Sequence, residues 1–260
     1  MTVTPYFQQD GVTLYHGDNV QTMREAIPDQ SIDLVVTSPP YDNLRTYGGH
    51  TWDFEGLAAE LWRTIKPGGV VVWIVNDATV DGSETGTSFR QALHFKEIGF
   101  SIADTMIWEK TGQGAIGNLY WSNFEFMFVL CKGKLKTFNP ICDRKNAITT
   151  GTVRTNCRRN KDGGSDSIRV VERTEVGRRF NVWRIGEQQG SQHPAPFPEP
   201  IARDHILSWS NEGDTVLDPF SGSGTTLKMA RLMGRKGIGI EIHQDYCGIA
   251  VERLRQKLLF

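Results

Sequence analysis

Five consecutive residues place hydroxyl groups, two prolines and an aromatic ring at the end of a strand-like run. Residues 32–36 form a short, mostly apolar run that is rich in β-branched side chains, as in a buried strand. They lead into the proline tip, defined here as Thr37, Ser38, Pro39, Pro40 and Tyr41. Because prolines fix φ and cannot continue a sheet ladder, the carbonyls before them point outward as acceptors. Acceptors beside a flat ring suit an aminated heterocycle, and an ordinary Pro-Pro strand terminator is the alternative.

A second segment has the pattern of a nucleotide-type ligand loop. Residues 215–218 are strand-like and end at Asp218, and residues 219–225, the glycine loop, contain Gly222-x-Gly224 before a helical stretch. The loop has no lysine like that of a phosphate-binding P-loop, and Glu241 ends the next strand-like run, where an acid can bind a ribose. These features favour a nucleoside cofactor without phosphates. S-adenosylmethionine fits, with Asp218 near its positively charged end, and a dinucleotide is the alternative.

Strand-like and helix-like stretches alternate around these two segments. Apolar periodicity and Gly or Pro breaks predict strands and helices in turn. The predicted strands are 11–16, 32–36, 70–75, 101–108, 124–130, 215–218 and 237–240, and the predicted helices are 20–26, 54–66, 88–98, 201–209, 225–233 and 245–258. Strands 101–108 and 124–130 lack a helix between them and are expected to form an antiparallel edge hairpin. The pattern predicts an α/β fold with a doubly wound, mostly parallel, seven-stranded Rossmann-like sheet. Asp18 follows the first strand, either as a ligand contact or, more simply, as a helix N-cap.

Positive charge is concentrated in the middle of the chain. Residues 132–184 contain 14 Lys and Arg against five Asp and Glu, a local charge of +9, whereas the rest has 15 basic and 25 acidic residues. Such asymmetry is typical of a polyanion-binding surface, and a solvated charged insertion is the alternative. Candidate nucleic-acid contacts are Arg144, Lys145, Arg154, Arg158, Arg159, Lys161, Arg178 and Arg179, together with Arg45 outside this segment.

Composition places the chain among intracellular proteins. The N-terminal residues do not resemble a signal peptide, and no apolar run approaches the roughly 20 residues needed to span a bilayer. The four cysteines form no C-x-x-C pair and have no histidines at zinc-finger spacing, so we expect free thiols and no metal site. An intracellular, cytoplasmic protein is the expectation.

Together, the glycine loop with its preceding Asp218 and the proline tip resemble the DNA methyltransferases that methylate exocyclic amino groups, cytosine N4 or adenine N6. The proline tip comes first, the basic segment second and the glycine loop last, which is similar to the beta arrangement of that family. Most adenine-specific members carry Asp where this chain has Ser38, so the tip is more similar to the cytosine-N4 group.

The resemblance implies a division of the chain and a role for each motif residue. Residues 1–131 would be the catalytic part, 132–190 the target-recognition segment and 191–260 the cofactor-binding part. Tyr41 would stack on a flipped base while the tip accepts hydrogen bonds from its amino group, and the direct transfer needs no cysteine nucleophile. The implied catalytic residues are Thr37, Ser38, Pro39, Pro40 and Tyr41. The implied cofactor-binding residues are Asp18, Phe197, Pro198, Asp218, Pro219, Phe220, Gly222, Ser223, Gly224, Thr225 and Glu241.

The resemblance implies double-stranded DNA as the substrate and a DNA-associated protein of a prokaryotic or viral-host cytosol. A homodimer and a cognate restriction endonuclease are candidate partners. An RNA or protein-glutamine methyltransferase usually has Asn before Pro-Pro-Tyr and places the glycine loop ahead of it, opposite to this chain. A non-catalytic DNA-binding protein would have no need of the acid and glycines that are all present. A nicotinamide oxidoreductase would be expected to carry the full G-x-G-x-x-G motif.

Overall fold

The computed structural model describes residues 3–40, 52–111, 120–146, 174–186 and 198–256. The chain divides into two compact units, one formed by Met1–Asn139 with Asn181–Phe260 and the other by Pro140–Phe180. The first unit contains the large sheet and all of the described helices.

The strands and helices lie close to their predicted positions. The strands are β1 (Phe7–Gln9), β2 (Val12–His16), β3 (Ile32–Thr37), β4 (Ile65–Val75), β5 (Thr79–Val80), β6 (Ser83–Glu84), β7 (Ser101–Glu109), β8 (Phe124–Cys131), β9 (Arg144–Lys145), β10 (Val176–Gly177), β11 (Val182–Arg184), β12 (Thr215–Asp218) and β13 (Lys236–Glu241). The helices are α1 (Asn19–Ala26), α2 (Phe54–Thr64), α3 (Thr87–Glu97), α4 (Glu199–Trp209), α5 (Thr225–Leu232) and α6 (Gln244–Arg255).

Nine strands form the large sheet, in the order β1-β2-β13-β12-β3-β4-β8-β7-β11. The five strands from β2 to β4 are mutually parallel, and β8 runs antiparallel to both β4 and β7. The doubly wound, mostly parallel fold is therefore confirmed. The seven predicted strands are its interior, and the short strands β1 and β11 add one partner at each edge. The β7–β8 hairpin consequently lies one strand inside the edge.

Helices cover both faces of the sheet. Successive strand side chains point to opposite faces, so Val35 of β3 packs with α1, α2 and α3, whereas Leu34 and Val36 pack with α4 and α5. Helix α6 packs beside α5 over β2. Because β3 is buried on both faces, its sequence is a nearly continuous apolar run instead of an alternating one.

The boundary between α2 and β4 differs from the prediction. The predicted helix extends to Lys66, but α2 ends at Thr64 and the chain is already extended at Ile65. Pro67 disfavours helical geometry at the residue before it, which explains the early end. Helix α4 begins two residues earlier than predicted, at Glu199, because Pro200 is tolerated in a first helical turn.

The small unit contains the antiparallel pair β9–β10. This unit, Pro140–Phe180, contains fewer residues than the predicted recognition segment 132–190. One reason is that Val182–Arg184 joins the main sheet beside β7. The assignment of that segment to target recognition stays a prediction. In the described part of the chain, no helix is long and apolar enough to cross a membrane. The same residues include no group of three His, Cys, Asp or Glu side chains placed to hold a metal.

Candidate active site

The proline tip and the glycine loop begin at neighbouring strand ends. Strands β3 and β12 are paired in parallel, with Leu34 opposite Val216 and Val35 opposite Leu217. The fully buried Thr37 donates its Oγ1 hydrogen to Oδ1 of the buried Asp218 across 2.7 Å. Carboxyl ends of parallel strands, where neighbouring connections diverge, form the ligand crevice of α/β sheets. This hydrogen bond therefore joins the two motifs, 181 residues apart, at one edge of the sheet.

Asp218 is held in an environment that resists its negative charge. Burial raises the pKa of Asp218 to about 6, against the lowering effect of hydrogen bonds from Thr37, Thr226 and the Phe220 N–H, while the charge of Glu241 raises it further. An acid destabilised in this way is a good counter-ion for a cation that enters the crevice, because a partner charge would offset the cost of burial.

The glycine loop is tightly folded onto Glu241. Gly222 and Gly224 have φ values of +50° and +77°, which side-chain-bearing residues rarely adopt. The Gly222 N–H donates to Glu241 Oε2 and the His243 N–H donates to Oε1, both across 2.8 Å. Burial raises the pKa of Glu241, and these backbone donors lower it. Each carboxylate oxygen keeps acceptor capacity, so Glu241 is oriented to accept hydroxyl donors.

The site residues fit S-adenosylmethionine. Two buried polar atoms near the loop, Asn19 Oδ1 and Ser221 Oγ, have no hydrogen-bond partner among the residues that the structure describes, and buried polar atoms normally find one. A Cβ on Gly224 would lie 3.1 Å from the Ala250 Cβ, so the loop backbone is closely packed underneath. Two acids, unpaired polar atoms and a glycine turn suit a cationic nucleoside with a ribose, which Glu241 would hold.

Trp52 contacts both motifs and had no signal in the sequence. Its Nε1 donates to the Pro40 carbonyl across 3.1 Å. Its ring meets Phe220 of the glycine loop edge-to-face, with centroids 5.1 Å apart, and also packs near Phe54 and Trp73. Trp52 thus links the Pro40 carbonyl of the proline tip to Phe220 of the glycine loop. Only its aromatic character marks it, because no pattern in the sequence predicts a contact between Trp52 and the proline tip.

Other predicted site residues include a helix cap, a buried proline and several that lie outside the described residues. Asp18 caps α1 by accepting from the Gln21 N–H at 2.8 Å, which matches the simpler of its two expected roles. Pro198 is buried at the N-cap of α4. Those outside the described residues are Tyr41, Arg45, Arg154, Arg158, Arg159, Lys161 and Phe197. Their roles, like the cofactor contact of Asp18, stay predictions.

Basic and aromatic side chains share the surface of the small unit. The guanidinium of Arg144 lies 4.7 Å from the ring centroid of Phe180, which is 66% exposed. Arg179 pairs with Asp143, and this hydrogen-bonded pairing lowers the pKa of that carboxyl. Lys145 is exposed in β9. An exposed ring with an adjacent guanidinium is a surface on which phosphates and bases can both bind.

Known proteins that are similar to this chain in sequence include DNA methyltransferases. The DNA methylase family model matches residues 32–252. The orphan methyltransferase M.BamHII of Bacillus amyloliquefaciens is 53% identical over 249 residues, covering 91% of this chain and 94% of that protein. The DNA adenine methyltransferase YhdJ of Escherichia coli (strain K12) is 30% identical over 267 residues, covering 95% and 84%.

Solved structures show the same fold. The PvuII cytosine-N4-specific DNA methyltransferase superposes with a TM-score of 0.70 at 18% identity, covering 100% of this chain and 89% of that one. A DNA modification methylase of Thermus thermophilus, TTHA0409, in complex with S-adenosyl-L-methionine, superposes with a TM-score of 0.62 at 26% identity. The match covers 92% of this chain and 93% of that one. With its proline tip and glycine loop at adjoining strand ends, this chain belongs to the S-adenosylmethionine-dependent DNA methylase family that modifies cytosine N4 or adenine N6.

Proposed function

We propose that the protein methylates the N4 amino group of cytosine in double-stranded DNA. The observation that carries the proposal is the Thr37–Asp218 hydrogen bond of 2.7 Å, which sets Ser38 and Pro39 beside the start of the glycine loop. Because the Thr37 hydroxyl is committed to Asp218, Ser38 supplies the nearest hydroxyl group of the tip. A serine at this place, instead of the Asp of most adenine-specific members, favours cytosine.

The tip residues act by binding and orienting the target amine. The Ser38 hydroxyl and the Pro39 carbonyl accept hydrogen bonds from the exocyclic NH₂, which draws the nitrogen lone pair out of ring conjugation. Tyr41 stacks on the flipped base, and base–aromatic stacking contributes roughly 1–3 kcal/mol towards the few kcal/mol that flipping costs. S-adenosylmethionine, when bound, supplies an electrophilic methyl group, and Asp218 and Glu241 hold it. Positioning and electrostatics are then sufficient for catalysis.

The basic segment is the proposed DNA contact. Arg144, Lys145, Arg178 and Arg179 lie in the small unit, and Arg144 contacts an exposed ring there. Phosphate contacts of this kind give affinity that decreases steeply with salt. A homodimer and a cognate endonuclease stay predictions of the family resemblance.

Adenine N6 is the second candidate target. It is favoured by the 30% identity to YhdJ, whose name states adenine specificity. Both bases present an exocyclic amine next to a ring nitrogen, so one acceptor pair can serve either. Nucleoside analysis of DNA from a methylation-deficient host, after incubation with enzyme and cofactor, separates them. N4-methylcytosine supports the proposal, and N6-methyladenine assigns the enzyme to the second candidate.

Replacing Tyr41 tests the role of the tip. We expect Y41A to lose turnover while its dissociation constant for S-adenosylmethionine stays within about twofold, because a base-stacking residue leaves the cofactor loop intact. Y41F, which keeps the ring, is the matched control and should retain most of the activity. Equal loss of cofactor binding and turnover in Y41A would remove the base-stacking assignment.

A further inference from the structure

The glycine loop requires support that its own residues do not supply. Gly222 and Gly224 allow its positive φ values but do not enforce them, since glycine is the most permissive residue. Ser223 between them is buried, so its carbonyl and hydroxyl need partners inside the protein. One side chain from the last turn of α6 provides them.

That side chain is Arg253. Its Nη1 donates to the Ser223 carbonyl across 2.8 Å and to Ser223 Oγ across 2.7 Å, and lies 3.2 Å from Thr225 Oγ1. Its Nη2 donates to Glu199 Oε1 across 2.9 Å. The guanidinium fork therefore spans the loop and the first turn of α4, and the Arg253 side chain is only 18% exposed.

Glu199 is the anchor of this arrangement. Lys228 of α5 also donates to Glu199 Oε1, across 2.7 Å, so three helices meet at one carboxylate oxygen. Burial acts to raise the pKa of Glu199, but hydrogen bonds and charge interactions with Lys228 and then Arg253 lower it, so the anion persists. Its single negative charge pairs with both cations and so offsets one of their two positive charges.

We propose that Arg253, anchored by Glu199, is a positioning residue that holds the glycine loop in its cofactor-binding conformation before S-adenosylmethionine arrives. This inference rests on the proposed function, since it assigns the cofactor to that loop. A loop that already has its bound conformation loses less entropy when the cofactor binds. Removal of the Arg253 side chain should therefore weaken cofactor binding more than it slows methyl transfer. A lysine cannot replace the fork, because a single ammonium does not span both partners.

Arg231 offers a matched control. It lies on α5 and its Nη1 donates to the Leu254 carbonyl across 2.5 Å, so it also links α5 to α6, but through a residue outside the glycine loop. Calorimetric titration with S-adenosylmethionine and steady-state methylation would compare wild type, R253A, R253K and R231A. R253K retains the charge and keeps the test available if R253A does not fold.

We expect R253A to raise both the dissociation constant and the KM for S-adenosylmethionine at least about tenfold, the scale of a lost hydrogen bond to a charged group. The kcat at saturating cofactor and the KM for DNA should change less than about twofold. R253K should be intermediate, added guanidinium ion should restore binding to R253A, and R231A should bind as wild type.

Two results would overturn the assignment. Wild-type affinity in R253A, or the same loss of affinity in R231A, would show that the contacts only stabilise the fold. A wild-type protein that bound no S-adenosylmethionine would instead refute the proposed function, so the two failures are distinguishable.

Discussion

Replacing Asp218 by Asn should stabilise the fold at neutral pH while weakening cofactor binding. Asp218 is 1% exposed, and its Oδ1 accepts from Thr37 Oγ1 at 2.7 Å and from the Phe220 N–H at 3.1 Å. The amide oxygen of an Asn can accept from both donors. D218N therefore removes the buried charge and keeps both of these hydrogen bonds, including the one from Thr37 that joins the two motifs.

The magnitude follows from the pKa. Burial raises the pKa of Asp218 from 3.8 to about 6, and each unit corresponds to about 1.4 kcal/mol. Because the folded pKa is the higher one, the folded state holds the proton more tightly. The stabilisation from that proton is complete below about pH 3.8 and is lost as the pH rises through 6. Above pH 7 the ionised Asp218 carboxylate lowers the free energy of unfolding by roughly 3 kcal/mol, and D218N avoids this loss. The weaker hydrogen bonds of the amide reduce that gain by roughly 1 kcal/mol.

Urea denaturation at several pH values measures this effect. We expect D218N to be more stable than wild type by about 2 kcal/mol at pH 8, with the difference shrinking by roughly 1 kcal/mol at pH 5.5. The dissociation constant for S-adenosylmethionine should rise at least about tenfold, because the variant lacks the counter-ion for the cationic end. D81N, in an exposed turn, is the control and should change neither quantity. A D218N protein less stable than wild type at pH 8, or a pH-independent difference, would refute the reasoning.

Two further substitutions test the contacts around the crevice. W52F keeps an aromatic ring but loses the N–H that donates to Pro40, so we expect single-turnover methylation to slow about tenfold with cofactor affinity within about twofold; an unchanged rate would exclude an orienting role for that bond. G224A would place a side chain at φ +77°, with its Cβ 3.1 Å from the Ala250 Cβ. We expect its free energy of unfolding, measured by urea denaturation, to fall by about 1–3 kcal/mol. The control is G213A, because Gly213 has a similar φ of +83° but an added Cβ there would meet no neighbouring atom. If both variants lost the same unfolding free energy, the contact with Ala250 would make no contribution.

The sequence predicted the elements whose signals are local. Buried parallel strands such as β3 and β12 are recognisable because both of their faces are apolar and Gly or Pro follows them. The adjacency of these two strands is not a local property. It is seen in the pairing of Val35 with Leu217, and no pattern within either strand indicates it.

Other features were missed because their partners are remote in the chain. Strand β11 is three residues long within a charged segment, and only the buried Trp183 marks its place beside β7. Trp52 and Arg253 reach the site through side-chain contacts, which no periodicity reports. Sequence patterns thus located the groups that would touch the ligands, whereas the residues that hold those groups emerged only from the packing.

A crystal structure of the protein with DNA and a non-reactive cofactor analogue would test most directly whether the two motifs form one active site. We expect a flipped cytosine with its N4 within hydrogen-bond distance of the Pro39 carbonyl, and the cationic end of the analogue beside Asp218, whose bond to Thr37 is retained. A target base bound elsewhere while the analogue occupies the glycine loop would contradict the central claim.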